Sequence, residues 1–232
     1  KSSSFLKKVM ENQSVIDTRL FTKTWRTLNC TPKTLKIIRE IQENLLCNGR
    51  RKELTTKRTE TNCRCSKTGL PLNAKHIISC CKRVSGEINT RHDIVVNILL
   101  NNILIQRGII TNEQRWEDRK MVRTSQDEIT IGTEHWRSDE WKERGRVSGA
   151  KLKPDLVWLR RDTGGQWRKV VVDVKITSTE KMNEAFKEKD EKYREWTTIE
   201  TREKKVGKVV MVPLIISHDG AVHKDTVKRW ND

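Results

Sequence analysis

The stretch from Lys153 to Thr177 constrains the fold more than any other part of the chain. Two apolar runs, one on each side, flank Thr163-Gly164-Gly165, where glycine can adopt the positive φ of a tight turn. We therefore predict a β-hairpin. Asp155 lies at its start, and Asp173 and Lys175 lie two apart on the return strand. Because side chains alternate along a strand, Asp173 and Lys175 are expected on one face and the neighbouring valines on the other.

Two carboxylates and an ammonium group at one end of a sheet indicate metal-dependent phosphodiester hydrolysis. Carboxylate oxygens are ligands that Mg²⁺ prefers, and the metal can activate water and neutralise phosphate charge. A lysine beside them can position the water or stabilise developing charge. The simpler alternative is an aspartate in a turn and an exposed Asp/Lys pair on a strand. The apolar run Val170-Val171-Val172 favours a site, because ionisable groups beside buried residues are costly without a partner or a role.

The six cysteines favour metal ligation in a reducing compartment over a disulfide framework. Cys63 and Cys65 are followed by His76 and then by the adjacent Cys80 and Cys81. Thiolate and imidazole groups at such compact spacing are typical of a structural, tetrahedral Zn²⁺ site. The fourth ligand is predicted to be Cys81, with Cys80 as the alternative. A further alternative is a set of buried free cysteines beside an unrelated histidine.

Positive charge is concentrated in the first third of the chain. The net charge is +17 over 232 residues, and residues 1–83 carry 19 Lys and Arg against 6 Asp and Glu. This distribution predicts nucleic-acid binding by the leading part, with a solvated basic surface as the alternative. A helix is predicted from Pro32 to Asn48. No apolar run of 18 residues occurs, so neither a membrane span nor a signal peptide is predicted, and Lys1 in place of Met favours an excerpt of a longer protein.

A first core helix is predicted from Thr90 to Gln106. Thr90 and Asp93 have the spacing of a capping box, and Gly108 is expected to end the helix. His92 and Asp93 then lie in the first turn, from which they can reach the acidic end of the hairpin. Ordinary capping explains Asp93 equally well.

A second helix and a final strand are predicted after the hairpin. Apolar residues recur at helical spacing from Met182 to Trp196, and this pattern places Lys189 and Tyr193 on the core-facing side. They are expected to support a site at the polar end of the sheet, whereas simple helix packing with an extended lysine is the alternative. The run from Val206 to Ser217 is predicted to be a buried strand at an edge or a bulge, because it contains a proline.

The order of these motifs resembles a known family. Pro154-Asp155 followed by Asp173-Val174-Lys175 resembles the PD-(D/E)-x-K signature of restriction-endonuclease-like nucleases. The cysteine and histidine segment, Arg91-His92-Asp93 and Lys189-x-x-Lys192-Tyr193 extend the resemblance, over about residues 20–217, to the C-terminal part of site-specific, early-branching non-LTR retrotransposon proteins. The Cys-x-Cys spacing and Asp93, where the family often has Asn, depart from the family pattern.

The resemblance implies an α/β fold with a restriction-endonuclease-like core ordered α-β-β-β-α-β. Residues 1–62 would form a basic helical linker, residues 63–86 a CCHC-type zinc knuckle, and residues 87–232 the endonuclease domain. The implied Mg²⁺ ligands are Asp155 and Asp173, with Lys175 as the catalytic lysine. The full set of expected catalytic residues is Asp155, Asp173, Lys175, Lys189, Tyr193 and His92, and the expected Zn²⁺ ligands are Cys63, Cys65, His76 and Cys81.

The function implied by the resemblance is nicking of target DNA. The cut would leave a 3′ hydroxyl that primes reverse transcription of the element's RNA. The expected partners are double-stranded target DNA, the element RNA and the reverse transcriptase domain of the same polyprotein, in the nucleus and without a membrane. Two other functions remain open on the residues alone: a junction-resolving or repair nuclease with the same core, and a catalytically silent clamp that only binds nucleic acid.

Overall fold

A computed structural model describes the following parts of the chain: residues 11–20, 31, 36, 63, 65, 76–77, 81–111, 121–136, 151–162, 164–203 and 207–231. Apart from Lys36, which is helical, the helix predicted from Pro32 to Asn48 lies outside these residues, as do the alternative ligand Cys80 and most of the predicted basic linker. Among the described residues, no helix is both long and apolar enough to span a membrane.

The protein has a mixed α/β fold, as predicted. Its elements in chain order are α1 (Ser85–Gln106), β1 (Met121–Arg123), β2 (Asp127–Ile131), β3 (His135–Trp136), β4 (Lys151–Leu152), β5 (Leu156–Arg161), β6 (Trp167–Thr177), α2 (Met182–Glu203), β7 (Lys208–Ser217) and α3 (Lys224–Asn231). Four strands of the main sheet thus lie between the two long helices in the sequence, and its fifth strand, β7, follows the second helix.

Five of the strands form the main sheet, in the order β1-β2-β5-β6-β7. The pairs β1/β2, β2/β5 and β5/β6 are antiparallel. Strands β3 and β4 form a separate two-stranded sheet. Strand β7 lies at an edge, which explains how it accommodates Pro213, since proline cannot donate a ladder hydrogen bond. The prediction of a buried edge strand here is confirmed.

Strands β5 and β6 form the predicted hairpin. Asp162 organises its turn, because its side-chain Oδ1 accepts hydrogen bonds from the N–H groups of Gly164 and Gln166 at 3.0 and 2.9 Å. Gly165 has a φ of +78°, a conformation that glycine adopts without a steric penalty. In β6 the whole run Val170–Val174 is buried, so both faces of the strand are covered rather than one.

Helix α1 begins earlier than predicted. A 3-10 turn, Lys82–Val84, leads into it, and the Thr90 hydroxyl donates to the carbonyl of Gly86 within the helix at 3.0 Å instead of capping its start. The expected end is confirmed by Gly108, which has a φ of +68°. On this predicted core helix Val96, Leu100, Ile103 and Leu104 are buried, whereas Ile94 and Ile98 are more than half exposed.

Helix α2 confirms the predicted second helix. Of the residues at helical spacing, Met182, Ala185, Phe186, Tyr193 and Trp196 are buried. Tyr193 and Trp196 pack with Leu152, Val157, Val171 and Met211 in one hydrophobic cluster. The helix is therefore held against the sheet by the same face that carries Lys189 and Tyr193.

The chain forms two compact units. One comprises Lys1–Arg91, Ile176–Asn183 and Ile215–Val227, and the other comprises His92–Lys175, Glu184–Leu214 and Lys228–Asp232. The domain boundaries predicted at residues 62 and 86 stay predictions.

His223 of the first unit is a core residue. His223 is 1% exposed, and its Nε2 lies 2.9 Å from Oδ1 of Asn183. Burial lowers the pKa of His223, so it is a neutral core histidine.

Candidate active site and cysteine cluster

Asp155 is held in place by its main chain and by its side chain. It follows the buried Pro154 and directly precedes β5. Its carbonyl accepts a hydrogen bond from Gly132 N–H at 3.0 Å, and its Oδ2 accepts one from Val174 N–H at 2.6 Å. Because its side chain is 20% exposed, the carboxylate is reachable from solvent although its position is fixed.

Asp155 and Asp173 occupy neighbouring positions at one end of the hairpin. Leu156 is paired with Val172 across the antiparallel strands, so the next position on each strand brings Asp155 beside Asp173. Side chains at opposed positions share a face of the sheet. The hydrogen bond from Val174 to Asp155 fixes this arrangement. The structure therefore brings together the two carboxylates expected to bind metal.

Two lysines of α2 contact Asp173, which is buried. Lys189 Nζ donates to Oδ1 at 2.7 Å, and Lys192 Nζ donates to Oδ2 at 3.1 Å. Burial raises the pKa of Asp173, but the positive charges of Lys189 and Lys192 outweigh this effect and lower it. The carboxylate is therefore ionised at neutral pH. Lys189, three residues before Lys192, lies on the same side of the helix, as residues at that spacing do.

His92 contacts the other carboxylate. Its Nε2 lies 3.2 Å from Oδ2 of Asp155, and its Nδ1 lies 3.1 Å from Oδ1 of Asp93. The hydrogen bond to Asp155 raises the pKa of His92 to about 9, and Asp93 adds to this effect. At neutral pH the imidazole is therefore protonated and donates from both nitrogens. Asp93 acts here as the partner of His92 and not as a helix cap.

The Tyr193 hydroxyl is buried between the same groups. It has no hydrogen bond of normal geometry to any described residue. Burial raises the pKa of Tyr193 most, and the nearby Asp173 and Asp155 raise it further. The phenol is therefore neutral, and its hydroxyl lies close enough to Asp173 to interact with it.

Lys175 is the expected site residue that the structure does not bring into these contacts. It lies two residues after Asp173 on β6, but its side chain is exposed. Among the described residues, no hydrogen bond or ion pair holds it. Its ammonium group is therefore free to reach a substrate from solvent.

The two carboxylates of the candidate site are surrounded by positively charged side chains. Asp155 and Asp173 supply carboxylate oxygens, and His92, Lys189 and Lys192 surround them with positive charge. Carboxylate oxygens are ligands of the kind that Mg²⁺ prefers, and the buried Tyr193 hydroxyl lies near Asp173 without a hydrogen bond of good geometry. In the described contacts both oxygens of Asp173 accept hydrogen bonds from lysines, and Oδ2 of Asp155 accepts one from Val174 N–H.

Three cysteines and a histidine form a separate cluster in the first unit. The ligand atoms of Cys63, Cys65, His76 and Cys81 all lie within 4.8 Å of one another. Cys63 Sγ is 3.7 Å from Cys81 Sγ, and Cys65 Sγ is 3.2 Å from His76 Nε2. The fourth member of the cluster is Cys81, the preferred ligand. Val84 N–H bonds to the carbonyl of Cys81, which fixes this residue at the start of the turn before α1.

The groups of the cluster shift one another's pKa values in opposite directions. A hydrogen bond from the main chain of Cys65, with others from His76 and neighbouring thiols, lowers the pKa of Cys63 to about 7. Burial and the neighbouring thiol groups of Cys63 and Cys81 raise the pKa of Cys65. The cluster can hold a metal ion, and three sulfurs with one imidazole nitrogen are a donor set that Zn²⁺ accepts.

Two contributors to the candidate active site were not identified from the sequence. Lys192 was noted within the motif but not assigned a role, although its spacing of three from Lys189 placed it on the same side of α2. The main-chain N–H of Val174 carries no signal in the sequence, because its role depends on the register of β5 and β6.

Two comparisons with known proteins found no match for this chain. The chain matches none of the models of known protein families against which it was scanned, and a comparison with curated proteins found no match. The residues and geometry described above are therefore the basis for any assignment of function.

Proposed function

We propose that the chain is a Mg²⁺-dependent DNA endonuclease of the PD-(D/E)-x-K type. The observation that carries the proposal is the pairing of Asp155 with Asp173 at the end of the hairpin, with Lys189 donating to Asp173. Two carboxylates at such a site are rarely maintained without a role, because ionised groups in a poorly solvated position are costly. The element order, with strands between two long helices and a further strand after them, supports a restriction-endonuclease-like core.

Asp155 and Asp173 would hold the metal. When bound there, Mg²⁺ would neutralise phosphate charge and lower the pKa of a water. Lys175 extends from the same strand into solvent, where its ammonium group can orient water or stabilise developing charge. Lys189, which donates to Asp173, and Tyr193 would supply a cation and a hydroxyl to the reacting phosphate, and His92 would keep Asp155 oriented.

The cysteine cluster would bind a structural Zn²⁺ through Cys63, Cys65, His76 and Cys81. A zinc site would stabilise a segment that is rich in positive charge, since residues 63–83 carry five Lys and Arg and no Asp or Glu. Such a segment suits binding to a nucleic-acid backbone. The proposed substrate of the whole chain is double-stranded target DNA.

The product of the reaction would be a nick with a 3′ hydroxyl. In the proposed context the nick primes copying of element RNA by a reverse transcriptase domain of the same polyprotein, in the nucleus. The support is the motif order from the cysteine cluster to Lys189-x-x-Lys192-Tyr193, together with the surplus of positive charge before residue 84.

A catalytically silent nucleic-acid clamp is the second candidate function. One observation favours it: both carboxylate oxygens of Asp173 already accept hydrogen bonds from lysines, so the residue is satisfied without a metal. In that case the carboxylates and lysines would act only as a buried ion-pair network.

Nicking of supercoiled plasmid separates the two functions. Wild-type chain is expected to convert plasmid to the open circle with Mg²⁺ and not with EDTA, and Asp173→Ala is expected to abolish nicking while DNA binding is retained. Glu188→Ala is the matched control, because Glu188 is an exposed acid on the same helix. Wild-type nicking activity in the Asp173→Ala variant would show that Asp173 is not a required metal ligand. Tight DNA binding by wild type without any metal-dependent cleavage would establish the clamp.

A further inference from the structure

A row of charged residues crosses three strands of the sheet away from the candidate active site. Asp127 on β2 is opposite Arg160 on β5, and Arg160 is opposite Arg168 on β6. Residues at opposed positions share a face, so two like charges are direct neighbours on this face. Such a pair is destabilising unless another group compensates it.

The one acidic residue of the row is engaged elsewhere. Arg107 Nε donates to both carboxylate oxygens of Asp127, at 3.0 and 3.1 Å, and Trp158 Nε1 donates to Oδ1 at 2.9 Å. Asp127 is buried, so its charge balances that of Arg107. The two arginines that follow it in the row are left without a bonded counterion among the described residues.

Arg160 and Arg168 therefore have unused hydrogen-bond donors. The Nε atoms of both side chains are buried and have no partner within the described parts of the chain. Burial lowers the pKa of Arg160, and the charges of Arg168 and Arg107 lower it further, although Asp127 and Asp162 act in the opposite direction. Asp162 Oδ1 already accepts two main-chain hydrogen bonds in the turn. Because these Nε atoms are closed to solvent, an external acceptor would be bound by the other guanidinium N–H groups of the two residues, which are partly exposed.

The geometry also orients one of the guanidinium groups. Arg160 Cζ lies 5.0 Å from the centroid of the Trp158 ring, so the indole supports the guanidinium plane. Two adjacent arginines, one of them held by an aromatic ring, can donate several hydrogen bonds to the oxygens of one phosphate group.

We propose that Arg160 and Arg168 bind a backbone phosphate of a nucleic-acid strand. The choice of nucleic acid as the partner rests on the proposed function and on the net charge of +17. Arg160 is five residues from Asp155 along the chain, and Arg168 is five residues from Asp173 along β6, which corresponds to about 17 Å. Because side chains alternate along a strand, this odd spacing places the two arginines on the opposite face of the sheet from the two carboxylates. The arginine pair is thus a phosphate contact separate from the candidate active site.

Matched single variants test the site through the salt dependence of DNA binding. Arg160→Gln and Arg168→Gln each remove one charge, and so does the control Arg161→Gln, whose exposed side chain donates to the carbonyl of Gly165. Binding of the full chain to a labelled duplex in EDTA would be measured by fluorescence anisotropy over a series of salt concentrations. Each variant of the pair is expected to bind about tenfold more weakly, with a salt slope reduced by about 1. Arg161→Gln is expected to keep the wild-type slope.

Inorganic phosphate provides an independent probe of the pair. Phosphate is expected to raise the melting temperature of the wild-type chain above its value in chloride at equal ionic strength, and Arg160→Gln/Arg168→Gln is expected to lose this shift. In chloride the double variant should melt no lower than wild type, because a like-charge contact is removed. A wild-type salt slope of DNA binding in both single variants would overturn the proposal. An equal loss of stability of the double variant in chloride and in phosphate would also overturn it, because that result indicates a structural role. Because EDTA prevents cleavage, a failure to nick plasmid leaves these outcomes unaffected.

Discussion

Lys189 Nζ lies 2.7 Å from Oδ1 of Asp173, and both side chains are largely removed from solvent, with exposed fractions of 13% and 4%. Lys192 contacts the same carboxylate at 3.1 Å, but its side chain is 36% exposed. The two lysines therefore make the same kind of contact in different environments. Solvent screens an exposed ion pair more than a buried one, so the two contacts should contribute unequally to stability.

Replacing each lysine by methionine should separate these contributions. Lys189→Met is expected to lower the free energy of unfolding by about 2 kcal/mol, because it removes a charged hydrogen bond to a buried carboxylate. Lys192→Met is expected to cost less than about 1 kcal/mol. Urea unfolding of both variants and wild type in EDTA gives the comparison. Equal losses of unfolding free energy in the two variants would show that burial does not determine how much each lysine contributes to stability.

The contact between His92 and Asp155 predicts a specific pH dependence of stability. The pKa of His92 is raised to about 9 in the folded protein, above its unfolded value of about 6.5. The imidazolium therefore stabilises the folded state fully below about pH 6.5, and this contribution is lost as the pH rises through about 9. His92→Gln should be less stable than wild type near pH 6, and the difference should shrink by about pH 10.

Chemical unfolding in EDTA over this pH range measures the effect of His92. Asp93→Asn is a useful companion variant, because Asp93 is the more exposed of the two carboxylates that contact the ring. It should reduce the pH dependence only in part. A difference between wild type and His92→Gln that stays constant from acidic to alkaline pH would contradict the raised pKa.

The cysteine cluster predicts which of two adjacent cysteines is required for metal binding. Cys81 Sγ lies 3.7 Å from Cys63 Sγ within the cluster, whereas Cys80 lies outside the described residues. Cys81→Ser is expected to lose the single equivalent of zinc, and Cys80→Ser is expected to retain it. A colorimetric zinc assay on purified variants distinguishes them. Retention of zinc by Cys81→Ser together with loss in Cys80→Ser would reverse the ligand assignment.

Removal of the metal should also destabilise the folded segment. Binding of Zn²⁺ to a preformed set of ligands contributes directly to folding in small sites of this kind. A strong chelator is therefore expected to lower the melting temperature of the wild-type chain and to leave that of Cys81→Ser unchanged. An equal shift in both would indicate that the chelator acts on another site.

The features that could be predicted from the sequence are those set by local patterns. Glycines between two apolar runs predicted the turn at Gly165, and apolar residues at helical spacing predicted the face of α2 that includes Tyr193. The position of Asp155 beside Asp173 follows from the hairpin once its register is known. The buried state of His223 and the role of Val174 N–H could not be predicted, because both depend on contacts between elements distant in the sequence.

Errors arose where a local pattern had two explanations. Thr90 and Asp93 have the spacing of a capping box, but Thr90 bonds within the helix and Asp93 bonds to His92. Ile94 and Ile98 satisfy the apolar pattern of a buried helix face and are nevertheless exposed. A single sequence contains no information on which side of α1 the sheet covers, so the pattern alone could not resolve these positions.

Tyr193 is the one tyrosine of the chain, and removing its hydroxyl oxygen tests the contribution of that atom to catalysis and to stability separately. Its buried hydroxyl interacts with Asp173 but lacks a hydrogen bond of good geometry, so Tyr193→Phe should change the free energy of unfolding by no more than about 1 kcal/mol. If the hydroxyl acts on the phosphate or on water in the proposed nuclease, the same variant should nick plasmid at least about tenfold more slowly. Urea unfolding and a Mg²⁺-dependent nicking time course measure the two effects. An equally active variant would show that the hydroxyl has no part in the reaction, and a larger loss of unfolding free energy would show that the hydroxyl has a structural role.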